Sequence, residues 1–239
     1  MRVTSTSRSA REALKRIRKL VARVVGWAAV VAAVLTGALL LAVAALRWVN
    51  PPFTAVQVQR RLEAWSKQEK YVKQQRFVPL ARISKDLRHA VVAAEDSRFY
   101  QHHGIDWKEV EAVVEDAMED GAAPRGASTI TQQLVKNLFF TTHRNPVRKA
   151  FEFVLAPLVE WILPKDRILE LYLNIVEWGP GVFGAEAAAR RHYGISAAQL
   201  SREQAARLAA CLPNPRKRKP QRMDRYSAVI LDRMARMGW

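Results

Sequence analysis

Two adjacent carboxylates, Glu95 and Asp96, follow an apolar stretch and precede aromatic residues and a glycine. A carboxylate set against apolar walls has its charged form disfavoured, so its pKa rises toward the range that is useful for proton transfer. The pattern therefore suits a general base at Glu95. The alternative, which a Glu-Asp pair alone favours, is that both residues end a helix and pair with Arg98. His102 and His103 are more typical of packing or hydrogen bonding than of metal binding, and the chain has no HExxH spacing.

The stretch from Gly126 to Phe140 is the second candidate for chemistry. Gly126 and Ser128 predict a turn and an N-cap, and the apolar residues that follow recur at helical spacing. The other face of this helix carries a hydroxyl, three amides and a single ammonium in one stripe: Thr129, Gln132, Gln133, Lys136 and Asn137. Such a stripe suits a ligand that is rich in hydroxyls and amides and carries a negative group, such as a sugar phosphate. A polar, solvent-exposed face is the alternative.

A cluster of cations surrounds the start of the next predicted helix, whose N-cap and first residue are Asn145-Pro146. The cluster consists of Arg144, Arg148 and Lys149, and Glu152 follows it. Arg148 and Glu152 also have the i, i+4 spacing of an ordinary surface ion pair, which is worth roughly 0.3 to 0.5 kcal/mol. Three cations and a helix N-terminus at one place nevertheless make a good pyrophosphate site. Glu152 is then the second carboxylate of a pair.

Other helices must position these side chains, and the sequence predicts where they run. An N-cap at Ser84 starts a helix over 85–94 that delivers Glu95, and an amphipathic helix with an acidic face covers 105–118. Further helices are predicted over 166–177, over 185–193 with Gly194 at the end, and from a capping box at Ser201. No alternating strand pattern is clear. The sequence therefore predicts a mainly α fold that leaves room for a short hairpin.

An uncharged stretch from Val24 to Leu46 predicts a transmembrane helix. A helix of that length covers about 34 Å, which exceeds a hydrocarbon core of about 30 Å. The stretch before it is rich in Arg and Lys and has a single acidic residue, Glu12. The positive-inside rule therefore predicts that the N-terminus stays in the cytoplasm and that the remainder crosses the membrane. A cleaved signal peptide is disfavoured, because the apolar run is long and Leu46-Arg47-Trp48 offers no small-residue cleavage site.

The bulk composition is compatible with one globular domain and an appendage. The 239 residues are 49% hydrophobic, and the net charge of +17 calls for an anionic partner. Because the catalytic portion is expected outside the cytoplasm, membrane and lipid phosphates are better candidates than nucleic acid. The single cysteine, Cys211, excludes an internal disulfide and is expected to fill apolar space. The predicted organisation is a basic tail over 1–23, a span over 24–46, a connector over 47–80 and a catalytic domain over 81–239.

Five motifs stand in one order along the chain and resemble those of the peptidoglycan glycosyltransferases, glycosyltransferase family 51. They are Glu95-Asp96-Ser-Arg-Phe99-Tyr-Gln-His102-His-Gly104, Gly126-Ala-Ser128-Thr129-Ile-Thr131-Gln132-Gln133-Leu-Val-Lys136-Asn137, Arg148-Lys149-Ala-Phe-Glu152, Arg167-Ile-Leu-Glu-Leu-Tyr-Leu-Asn174 and Leu208-Ala-Ala-Cys-Leu-Pro213-Asn214-Pro215. The resemblance covers about 51–239. It is closer to the monofunctional members than to class A penicillin-binding proteins, since no Ser-x-x-Lys nucleophile motif occurs. Cys211 and the acidic helix after Trp107 depart from the family pattern.

The resemblance implies a lysozyme-like, two-lobed domain, mainly α, with a smaller lobe facing the membrane. It implies that lipid II is polymerised into β-1,4 glycan strands by an inverting single displacement, with polyprenyl pyrophosphate released. Glu95 matches the base, and Glu152 matches the glutamate that organises the pyrophosphate or its divalent cation. Four cations would neutralise the leaving group: Lys136, Arg144, Arg148 and Lys149. The other residues carried over as substrate-binding are Asp96, Phe99, His102, Ser128, Thr129, Gln132, Gln133 and Asn137.

The resemblance also bears on cofactor, partners and location. Mg²⁺ or Mn²⁺ is the candidate cofactor, with Glu152 as candidate ligand, and no organic cofactor is expected. The expected partners are lipid II, the growing lipid-linked glycan and the membrane, with other cell-wall synthesis proteins as further candidates and nucleic acid excluded. The expected location is the inner (cytoplasmic) membrane, single-pass, with the catalytic domain periplasmic. Two rivals are a glycan-cleaving lysozyme or lytic transglycosylase, and a non-catalytic scaffold for cell-wall synthesis.

Overall fold

The structure is a computed structural model that describes residues 4–120, 127–143 and 145–239. It divides into two compact units, Met1–Trp48 and Val49–Trp239. The helices are α1 (Thr4–Ala45), α2 (Ala55–Ser66), α3 (Lys85–Glu95), α4 (Trp107–Asp120), α5 (Ile130–Phe139), α6 (Pro146–Ile162), α7 (Lys165–Ile175), α8 (Ala185–Tyr193), α9 (Arg202–Ala209) and α10 (Asp224–Arg236). The strands are β1 (Gln74–Gln75), β2 (Glu177–Gly179) and β3 (Val182–Phe183). The prediction of a mainly α fold is confirmed.

The first unit consists of the long helix α1. Within the part of the chain that the structure describes, the stretch Lys15–Ala45 is the one helix long and apolar enough to cross a membrane, by length and composition. The helix ends at Ala45, one residue before the predicted end of the span. An N-terminal helix of this kind is consistent with a single-pass anchor.

The predicted start of α3 is confirmed, because Ser84 accepts a hydrogen bond from the Leu87 amide over 3.1 Å. The prediction of Ser128 as N-cap of α5 is wrong, and Thr129 takes that position. A capping box needs Gln or Glu three residues after the cap, and only Thr129 has one, in Gln132. The Gln132 amide donates to Thr129 Oγ1 and the Thr129 amide donates to Gln132 Oε1, each over 3.1 Å.

Helix α5 lies at the centre of the second unit, where it packs against α2, α6 and α7. Its apolar residues Ile130, Leu134 and Val135 are fully buried. Helix α7 is buried on nearly all sides, which its run of Ile, Leu and Tyr residues explains. Helix α3 packs against α9 and α10 on another side of the core. The two helices that carry Glu95 and the polar stripe are therefore each held by several neighbours.

A three-stranded sheet has the order β1-β3-β2. β2 and β3 form an antiparallel hairpin, and β1 pairs with β3 in parallel. The hairpin prediction is confirmed, whereas the prediction that the preceding helix reaches Glu177 is wrong, because α7 ends at Ile175. The stretch Ile175-Val176-Glu177-Trp178 is mostly apolar and too short for periodicity to separate a buried strand from a buried helix.

Gly104 brings the loop after α3 into direct contact with α6. Its φ is +84°, and a Cβ there would lie 2.5 Å from the backbone nitrogen of Pro157. No side chain fits that approach, and Pro157 has no N–H that would be left unpaired there. The Gly104 carbonyl also accepts a hydrogen bond from Thr129 Oγ1 over 2.7 Å. One glycine thus fixes the loop that follows Glu95 against both α5 and α6.

Residues 47–80, predicted as a connector, contain α2 and β1. Helix α2 has Thr54 as N-cap and buries Val56, Gln57 and Ala64. The Gln59 side chain is bonded twice to Thr142, through Nε2 to Oγ1 over 2.9 Å and through Oε1 from the backbone amide over 2.7 Å. The segment is therefore part of the packed unit, and the boundary at residue 80 stays a prediction.

Candidate active site

Glu95 is the last residue of α3 and faces α5. Gln133 Nε2 donates to Glu95 Oε2 over 2.7 Å, and Tyr172 donates its hydroxyl to Gln133 Oε1 over 2.9 Å. Burial raises the pKa of Glu95 above 4.5, against the lowering effects of the Gln133 hydrogen bond and of the charges of Lys136 and Arg218. A carboxylate with a raised pKa, held by a single amide, has the properties of a general base.

Asp96 has a different environment from its neighbour Glu95. Its carboxylate lies 2.9 and 3.0 Å from His102 Nε2 and accepts the Ile130 amide over 2.9 Å, at the first turn of α5. Among the described residues Arg98 pairs with Asp106, and no ion pair joins it to Glu95 or Asp96. Asp96 and His102 are buried, so they hold the loop and α5 together next to Glu95.

Phe99 is fully buried, and its ring packs edge-on against His102. The Lys165 ammonium lies 4.4 Å from the centre of the Phe99 ring, within the range of a cation–π contact. As placed, the ring offers no accessible surface to a ligand. The sequence-based role of Phe99 in substrate binding stays a prediction, and its contacts here are with the protein core.

Glu152 is buried on α6 between two cations. Arg148 Nε lies 3.2 Å from Glu152 Oε1 and Lys149 Nζ lies 3.3 Å from Glu152 Oε2. The spacing-based ion pair is therefore present, but it is not a surface pair, because Glu152 is buried. Arg148 also donates to the Thr141 carbonyl over 2.8 Å, and Lys149 donates to Ser128 Oγ over 2.7 Å. Glu152 fixes both cations on the same side of α6.

Lys136 on α5 is a further cation of the site, and its contacts differ from those of Arg148 and Lys149. Within 4–120, 127–143 and 145–239, its ammonium makes no side-chain hydrogen bond or ion pair. Burial lowers the pKa of Lys136, and the positive charges of Arg148 and Lys149 lower it further. The negative charges of Glu152 and Glu95 raise it. Lys136 is therefore within electrostatic range of both glutamates and of both cations on α6. An anion bound here would meet three positive charges at once.

Some residues of the predicted polar stripe on α5 are buried in internal contacts, and others line a cavity. Thr129 and Gln132 are buried in the capping box, where Lys149 also lies 3.4 Å from Gln132 Oε1. Asn137 is buried and donates to the Gln133 carbonyl over 2.8 Å. Among the described atoms, Gln132 Nε2 is buried without a hydrogen-bond partner. Arg144 lies outside the described residues.

A cavity of about 250 Å³ opens beside the exposed end of this stripe. Its walls come from α2, α5, β2 and the loop after α9, and they include Arg60, Gln133, Lys136, Asn137, Glu177 and Arg216. Amides, a carboxylate and cations together suit a ligand that combines hydroxyl, amide and negative groups. The stripe thus borders a polar cavity.

Two residues near Glu95 were missed by sequence reasoning. Tyr172 lies within the motif from Arg167 to Asn174, but nothing local indicates that its hydroxyl reaches α5. Arg218 belongs to the basic run from Arg216 to Lys219, whose other three residues are exposed. It instead donates to the Ala210 carbonyl over 2.9 Å, stacks 5.1 Å over the Tyr226 ring and lowers the pKa of Glu95. Its position in a cationic run was the available signal.

The buried carboxylates near Glu95 already contact protein cations or His102, and a divalent cation would have to replace these contacts. One acid and histidine group of the described part, Asp96, His102 and Asp106, has ligand atoms within 4.8 Å of one another. A cation there would have to displace the Arg98 pair on Asp106 and the His102 contact on Asp96. Glu152 already faces Arg148 and Lys149, with the charge of Lys136 nearby. Asp96, His102 and Asp106 could hold a divalent cation only with these contacts broken, and the mechanism below uses no metal.

Comparisons with known proteins agree with these motifs. A family model described as Transglycosylase matches residues 61–235. The chain is 48% identical over 203 residues to a biosynthetic peptidoglycan transglycosylase of Pseudomonas fluorescens (strain SBW25), covering 85% of this chain and 81% of that protein. A protein of the same description from Dechloromonas aromatica (strain RCB) is 46% identical over 191 residues, covering 78% and 83%. The one from Herminiimonas arsenicoxydans is 49% identical over 171 residues, covering 71% and 74%.

Proposed function

The chain belongs to the transglycosylase family, with the lysozyme-like fold and peptidoglycan glycosyltransferase activity of that family, and on this premise we propose how its site elongates glycan. The donor is a growing glycan chain held as a polyprenyl pyrophosphate. The acceptor is the 4-hydroxyl of the GlcNAc of an incoming lipid II. The oxygen of that hydroxyl bonds to the anomeric carbon of the donor, and the bond from that carbon to the pyrophosphate breaks.

Glu95 takes the acceptor proton as that bond forms. Burial already raises the pKa of Glu95 toward the range of an effective base, and its Oε2 is oriented by Gln133. The second oxygen of the carboxylate is then available for the acceptor hydroxyl. Base and leaving group act on opposite faces of the donor sugar, so a single displacement inverts the anomeric carbon.

The leaving pyrophosphate receives the electron pair of the broken bond and binds to Lys136, Arg148 and Lys149. These three cations come from facing helices, and Glu152 holds the two on α6. Fixed positive charge where negative charge develops stabilises a transition state without reorganisation. Glu152 is in this proposal the organiser of the cations. Arg144 stays a predicted fourth cation of this group.

The observation that carries the proposal is the position of Lys136. Among the described residues this partly buried ammonium has no hydrogen-bond or ion-pair partner, and it lies within electrostatic range of Glu95 and Glu152, so its charge is costly unless a ligand anion compensates it. A glycan-cleaving enzyme acts on a neutral leaving sugar and gains nothing from such a cation group. The same observation disfavours a non-catalytic scaffold, which needs no buried base beside it.

We further propose that α1 spans the inner membrane once, with residues 1–23 in the cytoplasm and the catalytic domain in the periplasm. Exposed apolar side chains on α4 and α6 support a membrane-facing lobe: Trp107, Met118, Val147, Phe151, Val154 and Trp161. Lipid II and the lipid-linked glycan then reach the site from the bilayer. Other cell-wall synthesis proteins stay predicted partners.

Incubation of the purified chain with labelled lipid II tests the proposed function. We expect glycan polymer together with released polyprenyl pyrophosphate. Supplying preformed glycan in parallel tests cleavage. Shortened glycan without polymer from lipid II would support a lytic enzyme, and absence of both products would support the scaffold.

A further inference from the structure

Helix α2 presents an apolar stripe to solvent. Val58, Leu62 and Trp65 stand at i, i+4 and i+7 and are 44%, 56% and 78% exposed, and Phe53, which precedes the N-cap, is 66% exposed. Phe53 and Val58 occupy the positions of a hydrophobic staple and line one shallow cavity together. We refer to these four residues as the α2 stripe. Large apolar side chains grouped in this way on one helix face mark an interaction surface.

The orientation of the stripe is fixed by the opposite face of the helix. That face buries Val56, Gln57 and Ala64 against the rest of the unit, and α2 packs on α5. The two hydrogen bonds between Gln59 and Thr142 prevent the helix from rolling. A groove of about 620 Å³ runs along the stripe and is almost wholly apolar. The stripe therefore cannot turn inward without breaking these contacts.

The charges around the stripe are mainly positive. Arg61 and Lys73 line the shallow cavity together with Phe53 and Val58. Three further exposed cations follow in the same segment: Lys67, Lys70 and Arg76. Between residues 53 and 76 the acidic side chains are Glu63 and Glu69, and Glu63 is paired with Arg60 and Arg216. An apolar stripe flanked by exposed cations complements a surface of apolar chains and anionic phosphates.

The length of chain before α2 restricts where the stripe can bind. α1 ends at Ala45 and α2 begins at Ala55, so ten Cα steps separate them. Fully extended, they reach at most about 36 Å. If α1 spans the membrane as proposed above, α2 is never far from the bilayer surface.

We propose that α2 lies in the headgroup region of the bilayer, with the α2 stripe in the acyl boundary and its cations on lipid phosphates. This inference rests on the proposed anchoring by α1. Because α2 packs directly on α5, the contact sets the height of Gln133 and Lys136 above the membrane. A pyrophosphate that is attached to a lipid emerges at a fixed height, so this contact aligns the cation group with its substrate.

Spin labels on the full-length chain in nanodiscs that contain anionic lipid test the proposal. In a Cys211→Ala background, Val58→Cys carries the label, and Val229→Cys on α10 is the matched control because Val229 is also 44% exposed. We expect the label at position 58 to be more accessible to oxygen than to a nickel chelate, and the label at 229 to show the reverse. Equal profiles at both positions would overturn the proposal.

A third label, at Val31→Cys on α1, separates this inference from the anchoring on which it depends. Oxygen-accessible labels at positions 31 and 58 support both the anchoring by α1 and the contact of α2 with lipid. An oxygen-accessible label at 31 with a water-exposed label at 58 refutes only the α2 contact, and a water-exposed label at 31 refutes the anchoring. Protection at 58 that requires two copies in one disc assigns the stripe to a second chain and refutes the lipid contact.

A functional comparison uses Val58→Asp and Val229→Asp. We expect Val58→Asp to lose polymerisation of lipid II in nanodiscs while retaining it in detergent, where no bilayer height has to be matched. Val229→Asp should behave as wild type in both. Equal loss in detergent and in nanodiscs would indicate damage to the fold and would count against the proposal.

Discussion

Removing one buried hydroxyl should change the pH dependence of the reaction. An ionised Glu95 only accepts hydrogen bonds, so the NH₂ of Gln133 must face it and the amide oxygen must face Tyr172. The Tyr172 hydroxyl is therefore the group that fixes the amide. In Tyr172→Phe this oxygen loses its donor, and the amide is free to rotate away from Glu95.

The magnitude follows from the two hydrogen bonds. A hydrogen bond to a charged group is worth about 1.5 to 3 kcal/mol, and one pKa unit corresponds to about 1.36 kcal/mol. Complete loss of the Gln133 bond would thus raise the pKa of Glu95, since that bond lowers it in the wild type, and would lower the rate on the acidic limb by about 10- to 100-fold. Tyr172→Phe weakens the bond without deleting Gln133, so we expect a smaller effect, with the rate on the acidic limb lowered by about 3- to 10-fold.

The sign of the pH effect is fixed by the role of Glu95. A general base must be deprotonated in the free enzyme, so kcat/KM rises with pH through its pKa. A higher pKa moves this acidic limb to higher pH. Tyr172→Phe should therefore lose most activity at acidic pH and recover toward the wild-type rate as the pH rises.

Initial rates on labelled lipid II across a pH series measure this effect. The control is Tyr193→Phe, because the Tyr193 hydroxyl is buried with no hydrogen-bond partner among the described atoms. We expect the control to keep the wild-type profile. If Tyr172→Phe lowers the rate by one factor at every pH, the hydroxyl supports only the fold and the orientation argument is wrong.

Three further substitutions test the proposed roles. Glu95→Gln should lower turnover by about 10²- to 10⁴-fold while binding of a moenomycin-type donor-site inhibitor survives; inhibitor binding lost in step with the rate would contradict the base. The raised pKa of Glu95 contributes stability below about pH 4.5 that is lost as the pH rises through the folded-state pKa, so Glu95→Gln should unfold at higher denaturant than the wild type at pH 7. Lys136→Ala should lower kcat/KM by the equivalent of about 1.5 to 3 kcal/mol, because the leaving pyrophosphate loses one cation. The exposed Lys217→Ala is the control. A near-wild-type kcat/KM for both variants would remove Lys136 from the pyrophosphate site. Glu152→Gln should weaken inhibitor binding by loosening Arg148, and the loss should be the same with and without a metal chelator; rescue by added Mg²⁺ would show that a cation is organised there.

Features with a local chemical cause were predictable from the sequence. The starts of α3 and α6 follow from Ser84 and Asn145-Pro146, whose side chains and ring act within one turn. The end of α8 at Gly194 follows from the left-handed backbone that this glycine adopts, with φ of +72°. The N-cap of α5 was misassigned by one residue, although the Gln132 partner of Thr129 was present in the sequence.

Features that depend on distant contacts could not be read from spacing. The Thr129 to Asn137 stripe is one face of an ideal helix, but tertiary packing buries Thr129 and Gln132 and leaves Lys136 at the cavity. Glu152 has the spacing of a surface ion pair, and only the fold shows that it is buried. Tyr172 reaches Gln133 across 39 residues, a contact that no local pattern contains.

Burial shifts the pKa values of Glu95 and Lys136 in opposite directions. It raises the pKa of the carboxyl and lowers the pKa of the ammonium, so each charged form is less favourable than in water. Neither group is given a direct partner of opposite charge by the described residues, although each is near enough to influence the other. In the proposed reaction, a bound pyrophosphate would favour the charged ammonium, and an acceptor hydroxyl would supply the proton that the carboxyl favours. The two substrates would therefore compensate the charges that burial disfavours, and this compensation is the part of the proposed mechanism that the Glu95 and Lys136 variants test.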